Sequence, residues 1–307
     1  MRFRRLPANA QRALAWQPLV IGSRKAPCTK PILSHSKPAD VPELAESRHK
    51  VIHLSTAPED HVILRLINMA VSSGYLLERG NRVLDLGCGS GADVYRFRDL
   101  GFDAYGFDIH DYLTLRGEKD MRYFSILSTK SSDNADFRVD WEAFSIPFDD
   151  ESFDFVFSSQ VLEHVQNHDR VFAEMARVMK PGSVSFHIFP PRYIFVEPHI
   201  YIPFGSWINS RSYYLFWALM GVRNPYQGDM SWREVADQNF QYAKNGLNYL
   251  KPREILAVCR RHFSSVDYVP QLWEQGTKFA IRMNSAWYHT YYTFTKNAVL
   301  RLEKPVK

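Results

Sequence analysis

The chain lacks most of the features that would set it apart from ordinary globular proteins. Only three cysteines, Cys28, Cys88 and Cys259, stand in 307 residues, no two close in sequence. That pattern gives neither a disulfide framework nor a zinc-ligand spacing, and it suits a reducing compartment. No apolar run reaches the roughly 18 residues of a membrane span, residues 212–222 being too short even as the best candidate, so no transmembrane segment is expected. Internal repeats are missing as well. Acid is absent from the first 39 residues, which hold eight basic ones (Arg2, Arg4, Arg5, Arg12, Arg24, Lys25, Lys30, Lys37). Taking those eight from the total of 38 leaves 30 basic against 33 acidic groups over residues 40–307, a balance of −3 although the whole chain carries +5. The body therefore lacks the basic footprint of a dedicated nucleic-acid binder, and no nucleic-acid partner is expected.

The basic tail is punctuated by Pro7, Pro18, Pro27, Pro31, Pro38 and Pro42. Residues 1–57 are expected to be a loosely ordered extension, with organelle targeting or contact with a membrane surface as its alternative uses; the expected location is otherwise cytoplasmic. The remainder is 45% apolar over the whole chain and long enough for one sizeable core with an attached cap.

From Pro58 to Ser73, the apolar spacing of Val62, Ile63, Leu66, Ile67 and Ala70 predicts a helix. Strands are predicted at 82–86, 104–108, 137–140, 153–158 and 183–189, and residues 112–134 are read as a helix followed by a long surface loop. A helix over 169–179, with Val171, Phe172, Met175 and Val178 on one face, is expected to close at Pro181-Gly182. Strands alternating with helices imply a doubly wound, mostly parallel sheet covered on both faces. Residues 192–226 then hold ten aromatics (Tyr193, Phe195, Tyr201, Phe204, Trp207, Tyr213, Tyr214, Phe216, Trp217, Tyr226), far denser than the 14% of the whole chain, and more than half are expected in the core of a cap inserted after the fifth strand. A helix near 252–262, a strand near 266–269, an aromatic helical stretch and a strand near 298–302 would complete seven strands. The expected organisation is an extension over 1–57, a core over 58–190, a cap over 191–250 and a completion of the sheet over 251–307.

The first strand runs straight into Gly87-Cys88-Gly89-Ser90-Gly91-Ala92, which satisfies the G-x-G-x-x-G/A fingerprint of dinucleotide binding, so the turn alone does not choose a cofactor. Asp85, two residues before the first glycine, argues against a pyrophosphate there and suits the ammonium of an amino-acid moiety. Asp108-Ile109, at the end of the second strand, places a carboxylate where it can accept both hydroxyls of a ribose.

Val83-Leu84-Asp85-Leu86-Gly87-Cys88-Gly89-Ser90-Gly91 resembles the first motif of the class I (Rossmann-like) S-adenosylmethionine-dependent methyltransferases. Ile146-Pro147-Phe148-Asp149-Asp150-Glu151-Ser152-Phe153-Asp154, Val161-Leu162-Glu163-His164-Val165 and Met179-Lys180-Pro181-Gly182 are similar to later motifs of the quinone- and sterol-methylating branch. The resemblance covers about residues 80–190. It implies a Rossmann-like core, S-adenosyl-L-methionine as cofactor, an adenine contact at Asp140 with the Trp141 backbone beside it, and backbone flanking the methionine part at Ser159 and Gln160. Asp140-Trp141 departs from the more usual small or acidic residues of that motif.

Ligands of such sheets sit beyond the carboxyl ends of the strands, so the loops after the fourth and fifth strands are expected to face the methyl group. That brings His164, Glu197 and His199 into consideration, with Arg192, Tyr193, Tyr201 and Trp207 in the capping region. Glu197-Pro198-His199 is read as a base, His199, oriented by Glu197, with His164 as the next candidate; the opposing reading is that these side chains bond the backbone of the cap. His61, His110, His168, His187 and His262 show no partner pattern, and no metal-ligand spacing is evident. The functional expectation is methylation of oxygen on a small molecule, a glycan sugar or a lipid-linked saccharide. A non-catalytic cofactor-binding regulatory or assembly protein and a nicotinamide-dependent reductase are the alternatives; the sequence says nothing of oligomeric state.

Overall fold

A computed structural model describes residues 62–113, 121–127, 139–273 and 298–305. The N-terminal extension, the predicted helix start at 58–61, Phe137 and Arg138, and the aromatic stretch over 274–297 lie outside the described residues.

Seven strands form one sheet: β1 (Arg82–Leu86), β2 (Asp103–Asp108), β3 (Phe124–Ile126), β4 (Phe153–Ser159), β5 (Met179–Phe189), β6 (Ser265–Tyr268) and β7 (Ala298–Glu303), in the order β3-β2-β1-β4-β5-β7-β6. The pairs from β3 through β5 are parallel, and β7 is antiparallel to both β5 and β6, so the sheet is mixed. Central strands covered on both faces read as continuous apolar runs, as Phe153, Phe155, Val156 and Phe157 do, all fully buried. Strand order reverses between β1 and β4, and it is there that neighbouring loops diverge and leave a crevice.

Helices α1 (Val62–Ser72), α2 (Ala92–Asp99), α3 (His168–Val178), α4 (Arg211–Leu219), α5 (Trp232–Asn245), α6 (Pro252–Cys259) and α7 (Pro270–Trp273) accompany the sheet. The side chain of Asn167 caps α3 by accepting from the Arg170 amide, and the predicted face of Val171, Phe172, Met175 and Val178 is buried against the sheet. Lower on that helix, Glu174 accepts from the Ile146 amide at 3.0 Å, from Ser145 Oγ at 3.1 Å and from Arg177 Nη2 at 2.8 Å, while Arg177 donates to the Ile146 and Phe148 carbonyls. This buried knot holds the 144–148 loop onto α3.

Two predicted boundaries are corrected. Pro181-Gly182 does not close the helix, which ends at Val178 and passes directly into β5. The pair forms a bulge instead: Phe153 pairs with Met179 but Phe155 with Val184, a slip that proline, lacking an amide hydrogen, and Gly182 at φ 74° accommodate. Among the described residues the third strand is Phe124–Ile126, inside the stretch read as helix and loop, and it follows a short 3-10 turn over Met121–Tyr123; of the predicted 137–140 only Val139 and Asp140 are described, and neither is in a strand. Phe124 is buried at that edge, whereas Asp140 folds back to accept from the amides of Glu142 and Ala143, a turn that ends any extended run.

The cap follows β5, as expected. Its core is smaller than the aromatic density implied: Tyr214 alone of the ten aromatics is fully buried, packed with Ile200, Ile202 and Ala243, and Tyr213 and Trp217 lie partly against them. Phe195, Tyr201, Trp207, Phe216 and Tyr226 are exposed. The density overstates burial because much of α4 has a solvent face.

Candidate functional site

The glycine turn sits at the strand-order reversal. Gly87 and Cys88 both donate to the Phe107 carbonyl, at 2.7 and 3.2 Å, which ties the end of β1 to the end of β2. At Gly87, with φ +79°, a Cβ would overlap the Val161 side chain, so glycine here lets the loop after β4 close over the turn. Gly89 differs. Its φ is +50°, and a Cβ would meet nothing within 4 Å, leaving open space over its amide. That amide donates to Asp108 Oδ2 at 2.8 Å, and Asp108 Oδ1 accepts from His110 N at 3.0 Å. Gly91 is the N-cap of α2, packed against the Phe124 ring.

Asp85 and Asp108 are both buried, at 5% and 6% exposure. Burial, reinforced by the nearby Asp93 and Asp108, pushes the Asp85 carboxyl well above the usual range. Burial also raises Asp108, against the amides that lower it. No hydrogen-bond partner of the Asp85 carboxylate is found among the described residues. Two buried acids beside an open glycine cradle disfavour a pyrophosphate and fit a ligand carrying an ammonium, a sulfonium and a ribose diol. The residues present thus fit S-adenosylmethionine.

The other predicted contact residues lie as follows. Ser159 ends β4, and Gln160, at φ 59°, donates its amide to the Ile188 carbonyl and leads into Val161 over Gly87. Trp141 stacks on Phe144, centroids 5.7 Å apart, and Phe144 meets Phe107, the residue before Asp108-Ile109. The Asp140 carboxylate is exposed and serves its own turn through Oδ1.

The cap loop brings a second group together. Glu197 Oε1 lies 2.6 Å from His199 Nδ1 and accepts from Tyr249 Oη at 2.7 Å, while Oε2 accepts from the amides of His199 and Ile200. Orientation of the imidazole and bonding of the cap backbone, the two opposed sequence readings, are thus both carried by one carboxylate. Burial alone would raise Glu197, but these donors outweigh it and hold it low. For His199 burial acts downward, and the Glu197 hydrogen bond with the charges of Glu197 and Glu163 outweighs it and raises the imidazole. His164 lies beside it, ring centroids 5.0 Å apart, with Nδ1 2.7 Å from the Gly246 carbonyl; burial, then the charge of His199, push it down to about 4. The charge of His110, whose amide holds Asp108, adds the smallest of the downward pushes on His164.

Sequence reasoning missed Glu163, Tyr242 and Tyr249. Glu163 is 1% exposed, and neither of its carboxylate oxygens has a hydrogen-bond partner; burial pushes its carboxyl up to about 8. Its signal was a lone acid among Val161, Leu162 and Val165. Tyr242 faces both histidines, at 6.4 Å from His164 and 5.6 Å from His199. Of the unassigned histidines, His187 is buried between Ser158 and Ser185, His168 bonds the Leu162 carbonyl, and His262 pairs with Asp169.

Comparison with known proteins converges on the same segment. The family described as "Methyltransferase domain" matches residues 84–186. An uncharacterized methyltransferase of Schizosaccharomyces pombe is 32% identical over 120 residues, 36% of this chain and 41% of that protein. The sterol 24-C-methyltransferase of the same organism is 28% identical over 109 residues, 35% of this chain and 27% of that protein. The chain thus spans less than half the length of these relatives. Among solved structures, a S-adenosylmethionine dependent methyltransferase from Mesorhizobium loti is similar over 76% of this chain and 96% of its own, at 14% identity and a TM-score of 0.43. No helix among the described residues is long and apolar enough to cross a membrane. With the glycine turn, the two strand-end acids, the later motifs and the family match falling on one segment, residues 84–186 form a methyltransferase domain of the class I, S-adenosylmethionine-dependent family.

Proposed function

We propose that the protein transfers the methyl group of S-adenosylmethionine to an oxygen of a small molecule, a glycan sugar or a lipid-linked saccharide, with residues 58–190 as the cofactor core and 191–250 as the acceptor cap. When bound, the cofactor supplies an electrophilic methyl on a sulfonium, whose carbon–sulfur bond breaks with its electron pair returning to sulfur. The chain's own task is to hold the cofactor, aim an acceptor oxygen in line with that methyl, exclude water and take up the hydroxyl proton.

The single observation that supports the reading is the packing of Val161 on Gly87 of the glycine turn, from which the chain runs in three residues to His164, its ring centroid 5.0 Å from that of the carboxylate-oriented His199. Asp85 answers the ammonium, Asp108 the ribose hydroxyls, and Asp140 with Trp141 the adenine. Cys88 and Gly91 shape the turn, and Ile109, Ser159 and Gln160 flank the ligand. His199 Nε2 faces the cluster while its Nδ1 is engaged by Glu197, so the acceptor hydroxyl is activated at that side of the ring, with His164 beside it. A nicotinamide-dependent reductase is disfavoured because its pyrophosphate would approach the same buried acids.

Calorimetry with S-adenosylhomocysteine on wild type and Asp108→Ala tests the site. Two charge-assisted hydrogen bonds are worth about 1.5–3 kcal/mol each, so even one lost weakens binding by about 10- to 100-fold. Unchanged affinity in folded Asp108→Ala refutes the assignment. Incubation with labelled-methyl cofactor and fractionated extract, followed by identification of the labelled product, tests the acceptor class.

A further inference from the structure

The cap loop and the turn after β4 turn three side chains able to ligate a metal toward one another. The Gly246 carbonyl can only accept, so His164 donates from Nδ1 and leaves Nε2 as a lone pair. Glu197 engages His199 Nδ1 in the same way, leaving its Nε2 as a second lone pair. Between them stands Glu163, with Oε1 3.8 Å from His164 Nε2 and 3.9 Å from His199 Nε2, and with both carboxylate oxygens buried and without hydrogen-bond partners. One ligand atom from each of the three residues lies within 4.8 Å of the others. A buried carboxyl aimed at two imidazole lone pairs needs a proton or a cation at the centre, and two inward-turned nitrogens beside it offer a cation more ligands than a proton can use.

We infer that Glu163, His164 and His199 form a binding site for a divalent transition-metal ion of the imidazole-preferring kind, zinc foremost. Two nitrogens and one carboxylate make an oxygen-seeking ion such as magnesium a poor match, and they leave a coordination position for a further ligand. Ligand atoms about 2.1 Å from one tetrahedral ion lie roughly 3.4 Å apart, so the two carboxylate–imidazole gaps close by about half an ångström each, and the nitrogen–nitrogen pair, now within 4.8 Å, closes toward the same value. The surroundings are those of a metal site rather than a chance grouping: Glu197 on His199 and the Gly246 carbonyl on His164 fix each ring with its Nε2 inward, and Tyr249 in turn fixes Glu197. Spacing along the chain concealed it, because His199 comes from the cap and its partners from the turn after β4.

The ion's use rests on the methyltransferase reading: it would make an acceptor hydroxyl in the remaining position more acidic, the proton would pass to solvent water as the methyl arrives, and His199 would act as a ligand in place of a base. Binding of the ion does not rest on that reading, and the experiment separates the two. The full chain is stripped with chelator and titrated with Zn²⁺ by calorimetry, then with Co²⁺ followed by visible absorbance, and S-adenosylhomocysteine binding is measured on the same preparation. Stoichiometric binding is expected, with four-coordinate Co²⁺ absorption. A loss of 100-fold or more is expected in Glu163→Gln and His199→Gln, and an intermediate loss of about 10- to 100-fold in Glu197→Gln, which touches only the orienting carboxylate. Glu163→Gln keeps the shape and breaks no hydrogen bond, so without metal it melts no lower than wild type while losing the Zn²⁺-induced rise in Tm. Wild type that binds S-adenosylhomocysteine but neither metal, or variants that bind metal as wild type does, overturns the inference and leaves a shared proton at this centre. Metal binding without S-adenosylhomocysteine binding upholds the site and refutes the proposed function.

Discussion

The glycines of the cofactor turn should separate cleanly into one that serves the ligand and two that serve the fold. At Gly89 a methyl group meets no protein atom within 4 Å, so Gly89→Ala incurs little beyond the backbone term at φ +50°, about 1–2 kcal/mol, or a Tm lower by a few degrees. The methyl would instead enter the open space beside Gly89, through which the proposed ligand approaches. Overpacking of that kind costs about 1–3 kcal/mol, which is about 5- to 150-fold in affinity for S-adenosylhomocysteine, and the larger Gly89→Val should abolish measurable binding. At Gly91 the same methyl would lie 2.6 Å from the Phe124 ring, and at Gly87 it would overlap Val161, so Gly87→Ala and Gly91→Ala should lower Tm by clearly more than Gly89→Ala. Thermal melting and calorimetry on the three variants are the assay. If Gly89→Ala binds S-adenosylhomocysteine within twofold of wild type, the open space is not the ligand's path and the cradle lies elsewhere.

Other consequences are more local. Glu174→Gln should destabilise the protein by about 1–3 kcal/mol at neutral pH, because it removes the charge to which Arg177, Ser145 and the Ile146 amide donate. Burial would raise the Glu174 carboxyl, but those donors outweigh it and leave it below 4.5. A depressed folded-state value means the stabilisation is complete above the ordinary glutamate range and is lost as pH falls through the folded value, so the two melting curves should converge in acid; a gap that persists undiminished to low pH refutes this. His199→Gln should reduce turnover by about 10²-fold or more while S-adenosylhomocysteine affinity stays near wild type, and full turnover in the folded variant would move acceptor activation off this residue.

What could be seen in the sequence follows from how each element earns its order. Strands β1, β4 and β5 are buried on both faces, and the apolar residues of β1 and β4 and the alternating Val184, Phe186 and Ile188 of β5 identify them without partners, while the glycine turn is legible because a tight turn between strand and helix tolerates few other residues. Strand β3 is three residues long, and of those only Phe124 is buried; nothing in its own composition distinguishes it from the hydroxyl-rich stretch that follows. The strand predicted over 137–140 rested on local apolar residues, and at its described end Asp140 is held instead in a side-chain turn by the Glu142 and Ala143 amides, which periodicity does not register.

The least legible feature is the one with the most chemistry. Glu163 was visible as part of a motif, yet its role depends on which groups stand opposite, and those come from Gly246, Glu197 and His199, 34 to 83 residues further along the chain. A lone acid between Leu162 and Val165 is costly wherever it is buried, and a fold that keeps it must supply either a proton or a cation. Here the two nearest imidazoles both turn their lone pairs inward, held so by a carbonyl and by a second buried carboxylate, which is itself satisfied by Tyr249 and two amides. That arrangement spends four hydrogen bonds on Glu197 and none on Glu163. The contrast follows if Glu197 is there to orient a ligand and Glu163 to be one.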